Sequence, residues 1–198
     1  MRDRFAPGAP IWITEMAQTA CGGDPWAATF LDTFRYVDQL GRLARQDVSI
    51  VFHNTLAASD YALIDDRTWQ PRPNYWAALL WRRLMGEVVL DAGEQKGDLH
   101  VYAHCQKGKR GGVTLVAVNL STTAAAYLHL HRPSQRYTLT APELESTSVR
   151  LNGRALALSA NDRLPALRGQ SVKPGNIALP PASITYLAVP GAANPACR

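Results

Sequence analysis

The sequence holds only three cysteines in 198 residues, Cys21, Cys105 and Cys197, and none belongs to a Cys-x-x-Cys pair. A zinc ribbon or knuckle is therefore not expected, and the odd count leaves at least one thiol free or paired between molecules. No apolar run approaches the roughly 20 residues that a membrane-spanning helix needs. The first residues, MRDRFAPGAPIW, carry charges but no apolar stretch ahead of a small-residue cleavage site, so a secretory leader is not expected here. Acidic residues are fewer than basic ones, 16 against 21, for a net charge of +5. That balance favours acidic partners in general. The basic residues are scattered, however, and no stripe of them alternates with aromatics, so nucleic-acid binding is not expected. Internal repeats and long low-complexity segments are absent.

What the chain does have is 46% apolar residues, enough for one or two cores. Its pattern changes near residue 87. Before that point the order is strand, helix, strand, helix. Residues 11–14 form a short apolar run of the buried-strand type. Asp24-Pro25 offers a helix start, with Asp as N-cap and Pro in the first turn. Ala27, Phe30, Leu31, Phe34, Val37 and Leu40 then recur on one helical face. Residues 48–52 form a second buried-type strand. A long loop follows, and residues 75–85 make a second amphipathic helix that Gly86 is expected to stop. This order implies parallel strands joined by crossover helices. Two such units do not close a barrel, and strands apolar on both faces require cover, so further strands N-terminal to these are expected.

From residue 87 the chain reads as short alternating strands: 88–90, 99–106, 113–120, 126–130, 137–140, 148–151, 155–158 and 184–189. Asn152-Gly153 is a two-residue hairpin turn. Strands at this spacing suggest an antiparallel β-sandwich. Residues 107–110 (KGKR) read as a solvated hairpin tip. His129 and His131 share one strand face and read as exposed residues rather than metal ligands.

The segment WITEMAQTACGG carries the most chemical information. Glu15 stands at the C-terminal end of a buried parallel strand, which is where βα barrels open their active sites. A carboxylate there is a candidate nucleophile for glycoside hydrolysis. The structural alternative is a Glu bonded to nearby backbone or to an Arg.

An ordered series runs from about residue 11 to the end: WITE, the Gly-Gly after it, the helix running into DQLG, VSIVFHN, SDYALID, PRPNYWAALLWRRLMG, LHVYAHC, LVAVNLS and LPPASITYLAVP. It resembles glycoside hydrolase family 79, the heparanases and β-glucuronidases. The resemblance implies that residues 1–86 are the C-terminal part of a (β/α)8 TIM barrel, strands 7 and 8 with their helices. It implies that residues 87–198 are the β-sandwich domain. The family cleaves β-linked glucuronic acid with retention and uses two glutamates. By position Glu15 is the nucleophile. The family's acid/base follows an Asn, and no Asn-Glu occurs in this chain. The expectation is thus a glycosidase portion that needs a missing N-terminal barrel segment as its partner and is inactive alone.

The resemblance further implies that Gly22, Gly23 and Tyr61 hold the uronate carboxylate of a glucuronide or glycosaminoglycan substrate. His53 is a further candidate for contact with sugar hydroxyls or sulfate. It implies a Cys105–Cys197 disulfide, hence an oxidising compartment and a secreted or periplasmic full-length protein. No metal or organic cofactor is expected, since two carboxylates suffice. The chain departs from the family at Phe52-His53, where Arg-Gln is common, and at Ala20, where an aromatic is common. A rival reading is a non-catalytic carbohydrate-binding or structural β-module.

Overall fold

The computed structural model describes residues 2–19, 24–95 and 97–198. After a one-turn helix α1 (Arg2–Phe5), the order is β1 (Ile11–Met16), α2 (Phe30–Ala44), β2 (Val48–His53) and α3 (Pro73–Leu84). β1 and β2 pair in parallel, as the crossover pattern requires, with Ile13 opposite Val51 and Met16 opposite His53. The remaining strands are β3 (Met85–Leu90), β4 (Leu99–Gln106), β5 (Val113–Asn119), β6 (Ala126–Leu130), β7 (Ser134–Thr140), β8 (Arg150–Leu151), β9 (Arg154–Ala155), β10 (Gln170–Val172), β11 (Gly175–Leu179) and β12 (Ser183–Val189). Eight of them form one sheet in the order β3-β4-β5-β12-β7-β8-β9, with β10 on β7; β6 and β11 form a separate antiparallel ribbon.

β12 sits at the centre of the large sheet, and every one of its residues is buried. Ile184, Tyr186 and Ala188 face the main core with α2 and α3, while Leu187 faces Leu130 and Ile177 of the ribbon. The large sheet is thus covered by helices on one face and by the ribbon on the other. Tyr186 donates from its hydroxyl to the Ala77 carbonyl of α3 at 3.1 Å, which satisfies a polar group inside the core.

Two polar ties fix α2. Asp32, 4% exposed, accepts from Asn74 of α3 at 2.6 Å and from Arg35 at 2.5 and 3.0 Å. Asp38 accepts from Tyr102 Oη at 2.5 Å, His100 Nδ1 at 2.6 Å and Arg42 Nε at 2.6 Å, which joins α2 to β4. Burial works to raise the Asp38 pKa, but these donors outweigh it and hold the carboxyl below its usual range. Next to this tie a Cβ on Gly41 would fall well under 3.0 Å from Cγ and Cδ1 of Tyr102. Glycine lets the helix lie directly on the tyrosine ring.

Three sequence expectations shift. The helix expected to start at Asp24-Pro25 is α2, and it begins at Phe30. Asp24 Oδ1 instead accepts the Trp26 amide at 2.8 Å in a turn, and the first amides of α2 are capped by distant carbonyls, Phe30 by Ser146 at 2.9 Å and Leu31 by Leu144 at 2.8 Å. The second helix starts two residues early, at Pro73. Gly86 does not stop it: Met85 is already extended, and Gly86 lies within β3, where a Cβ would stand 2.5 Å from the Cys105 carbonyl oxygen. Strands β10 and β11 were not anticipated, because Lys173-Pro174-Gly175 interrupts a short and partly polar stretch.

Asn152 and Gly153 do adopt positive φ, 50° and 82°, at the turn between β8 and β9. Residues 107–110 lie in the β4–β5 turn, where the Gln106 amide donates to the Gly112 carbonyl at 2.8 Å. Cys105 and Cys197 are joined by a disulfide across a sequence separation of 92.

Candidate active site

The parallel pair β1–β2 has a covered and an open face. Ile13, Met16 and Val51 pack into the main core beside α2. On the other side Trp12 (52% exposed), Ile50 (37%) and Phe52 (48%) are open, and the Trp12 and Phe52 rings stand 6.2 Å apart. A register irregularity between Ile13 and Met16 leaves both Thr14 and Glu15 exposed at the C-terminal end of β1. Asn54 follows β2 directly. Its amide donates to the Met16 carbonyl at 2.9 Å, and its side-chain Nδ2 donates to Glu15 Oε1 at 2.6 Å. The two strand ends thus present one carboxylate, oriented by one carboxamide, beside an apolar aromatic surface. Such a group can act as an oriented nucleophile or as a charge stabiliser.

His53 and Glu15 are not brought together. The His53 ring meets Tyr36 of α2 edge-on at 5.3 Å and 89°, which puts it on the side of β2 opposite Phe52. Its Nε2 donates to the Tyr61 carbonyl at 2.8 Å, while Nδ1 is buried without a partner among the described residues. Burial lowers the His53 pKa from its ordinary value, partly offset by the Tyr61 carbonyl. The neutral ring therefore acts as a bracket for the loop that follows β2. Tyr36 beneath it is pushed up to about 12 by burial.

Tyr61 is 7% exposed, and its backbone carbonyl anchors on His53. The loop is held from the other side by Arg72. Its guanidinium donates to the carbonyls of Ser59 at 2.8 Å and Asp60 at 2.5 Å, and to Asp65 Oδ2 at 2.9 Å. Asp65 Oδ1 in turn accepts from the Thr68 amide and hydroxyl at 2.9 and 3.0 Å. The Arg72 guanidinium, then the Thr68 donors, hold the Asp65 carboxyl well below the usual range. Gly22 and Gly23, expected to face a substrate carboxylate, lie outside the described residues, as does Cys21.

Asn54 and Arg72 are the site residues that sequence reasoning missed. The strand-end rule that singled out Glu15 applies equally to Asn54. Arg72 gave no comparable signal. Among the described residues no group of three or more His, Cys, Asp or Glu is arranged to hold a metal ion.

No family model matches the chain. Individual proteins do. Heparanase of Gallus gallus is 32% identical over 212 residues, covering 96% of this chain and 40% of that protein. The baicalin-β-D-glucuronidase of Scutellaria baicalensis is 33% identical over 195 residues, covering 92% and 36%. The chain is a homologue of the heparanases and β-glucuronidases. Human inactive heparanase-2 is also similar, 30% identical over 229 residues, covering 98% of this chain and 37% of that protein. This heparanase homologue spans about two fifths of the length of the curated relatives it matches. Among solved structures, CelM2, a bifunctional glucanase-xylanase from a metagenome library, superposes with a TM-score of 0.61 at 16% identity, covering 96% of this chain and 32% of that one. At that identity the likeness speaks for the fold alone.

Proposed function

We propose that these residues contribute the nucleophile of a retaining glycoside hydrolase acting on β-linked glucuronic acid, in heparan sulfate or related glucuronides. The observation that carries the reading is Glu15, exposed at the C-terminal end of β1 and oriented by Asn54 at the end of β2. In this reading residues 1–86 are the C-terminal part of a (β/α)8 barrel, with β1 and β2 as strands 7 and 8. Residues 87–198 are its sandwich domain. The apolar face of Trp12, Ile50 and Phe52 then lies inside the closed barrel.

The chemistry is a double displacement. The Glu15 carboxylate attacks the anomeric carbon as the glycosidic C–O bond breaks, and a second carboxylic acid protonates the departing oxygen. That residue then takes a proton from water, which hydrolyses the glycosyl ester and frees Glu15. The two carboxyls must stand about 5–5.5 Å apart. The other glutamates, Glu87, Glu94, Glu143 and Glu145, lie on β3, the β3–β4 loop and the β7–β8 connection. The acid/base is therefore assigned to a segment outside these residues, and this chain alone does not turn over a glucuronide. Gly22, Gly23 and Tyr61 bind the uronate carboxylate, glycine giving backbone amides close approach to an anion. His53 acts through Tyr61, by fixing its loop. The Cys105–Cys197 disulfide supports an oxidising, secreted or periplasmic setting for the whole protein.

A 2-fluoro-glucuronyl fluoride tests this directly, because its leaving group needs no proton. One glucuronyl adduct is expected on Glu15, absent in Glu15→Gln, and an adduct on any other residue refutes the assignment. One relative being named inactive favours a second reading, a carbohydrate-binding module without turnover. That reading expects no adduct at all, even after co-expression with the barrel segment.

A further inference from the structure

The charge of the chain is unevenly divided. Residues 1–98 carry ten Lys and Arg against thirteen Asp and Glu, whereas residues 99–198 carry eleven against three. No Asp or Glu occurs at all in residues 99–142 or 163–198. The β6–β11 ribbon is built from these acid-free stretches. Its inner face, Leu128, Leu130 and Ile177, packs on the large sheet. Its outer face carries Tyr127 and His129 at alternate positions, with His131 directly after the strand; all three are exposed, Tyr127 at 65%.

Local pairing organises this row. His129 and His131 stand edge-to-face at 4.8 Å. His129 Nδ1 donates to Asn176 Oδ1 of β11 at 2.8 Å, which orients the ring and leaves Nε2 outward. Tyr127 lies opposite Ala178, a side chain too small to cover its ring. Arg132 follows β6 and Lys173 precedes β11, so the antiparallel pairing puts both cations at the same end of the ribbon. Neither forms an ion pair with a described residue. A cavity of about 240 Å³ opens beside His129, His131 and Arg132, floored by Leu115, Leu130 and Val189. Within β6 the row extends about 10 Å from Tyr127 to Leu130 at the usual strand rise, and His131 and Arg132 follow in the bend beyond it.

We propose that the outer face of the β6–β11 ribbon is a docking surface for an acidic polysaccharide, separate from Glu15. A sugar ring stacks its C–H face on Tyr127, His129 and Asn176 meet hydroxyls, and Arg132 and Lys173 meet carboxylate or sulfate groups. The surface retains polymer beside the enzyme without taking part in bond cleavage. The choice of a polysaccharide among polyanions rests on the proposed function. The test needs no turnover, so ribbon-dependent binding without a Glu15 adduct overturns the nucleophile assignment and leaves this surface standing.

Titration calorimetry of the chain with a heparin hexasaccharide, repeated across salt concentrations, tests the surface. Binding is expected, weakening with salt. Arg132→Ser/Lys173→Ser is expected to weaken it at least tenfold and to reduce the salt slope by about 2. Tyr127→Ala is expected to cost about tenfold, with Tyr127→Phe retaining affinity; circular dichroism checks that the sheet is intact in each. Lys107→Ser/Lys109→Ser, on the β4–β5 turn, serves as the control and should bind as the parent does. The proposal is overturned if the parent does not bind, if the ribbon variants bind unchanged, or if the control loses as much. It is also overturned if an oligo(dT) of matched charge binds the ribbon as tightly as the hexasaccharide.

Discussion

Replacing Gly41 by alanine sets two effects of known size against each other. Position 41 lies inside α2, where alanine is favoured over glycine by about 0.8–1 kcal/mol. Propensity alone therefore makes Gly41→Ala stabilising. The structure gives the opposite sign. The new methyl would overlap the ring of Tyr102, which is 1% exposed. Overpacking of this kind costs about 1–3 kcal/mol. If the ring shifts to relieve it, the hydroxyl leaves Asp38 and a charge-assisted hydrogen bond worth about 1.5–3 kcal/mol is lost. Net destabilisation of about 2–4 kcal/mol is expected, read as a lower urea midpoint for the oxidised chain. In a double-mutant cycle, Tyr102→Leu should remove most of the penalty, with a coupling above about 1 kcal/mol. A Gly41→Ala chain as stable as the parent, or additive behaviour in the cycle, would refute the packing argument.

Two other outcomes follow from the same core. His53 and His104 both have their pKa values lowered by burial, and each has one ring nitrogen buried without a partner among the described residues. The unfolded chain then binds more protons below the ordinary value of 6.5, so stability is full above that pH and falls as pH drops below it. The loss is at most about 1.4 kcal/mol per pH unit per histidine; urea midpoints at pH 7.5 and 5.5 measure it, and a flat profile contradicts the burial. Asp38 adds loss only below its ordinary 3.8. Reducing the disulfide, or Cys105→Ser/Cys197→Ser, releases a loop with a separation of 92 and should cost about 4–5 kcal/mol by chain entropy. Denaturation with and without reductant checks this, and a difference under about 1 kcal/mol contradicts it.

The place of Glu15 was legible because an apolar run ending in a carboxylate is a strong local pattern, and parallel pairing of β1 with β2 followed from the helix between them. What was not legible depended on long-range partners. The start of α2 is set by Ser146 and Leu144, more than a hundred residues away, so Asp24-Pro25 gave a plausible but early start. Gly86 looked like a helix stop, and its actual reason is the Cys105 carbonyl of the neighbouring strand. A strand-end position makes His53 a candidate for substrate contact, but alternation along β2 places its ring against Tyr36. Its neighbour Phe52 faces the open side, so His53 turns to α2. Arg72 binds carbonyls of a loop whose path no local pattern predicts.

The last strand in the chain occupies the middle of the large sheet. β5 and β7 do not pair with each other; β12 alone, hydrogen-bonded to both, joins the two halves. During synthesis the strands that precede it wait as two half-sheets with bare inner edges, and both are zipped only when residue 189 has left the ribosome. A ribosome stalled before that point should hold a chain open to chaperones and proteases, whatever the helices have already done.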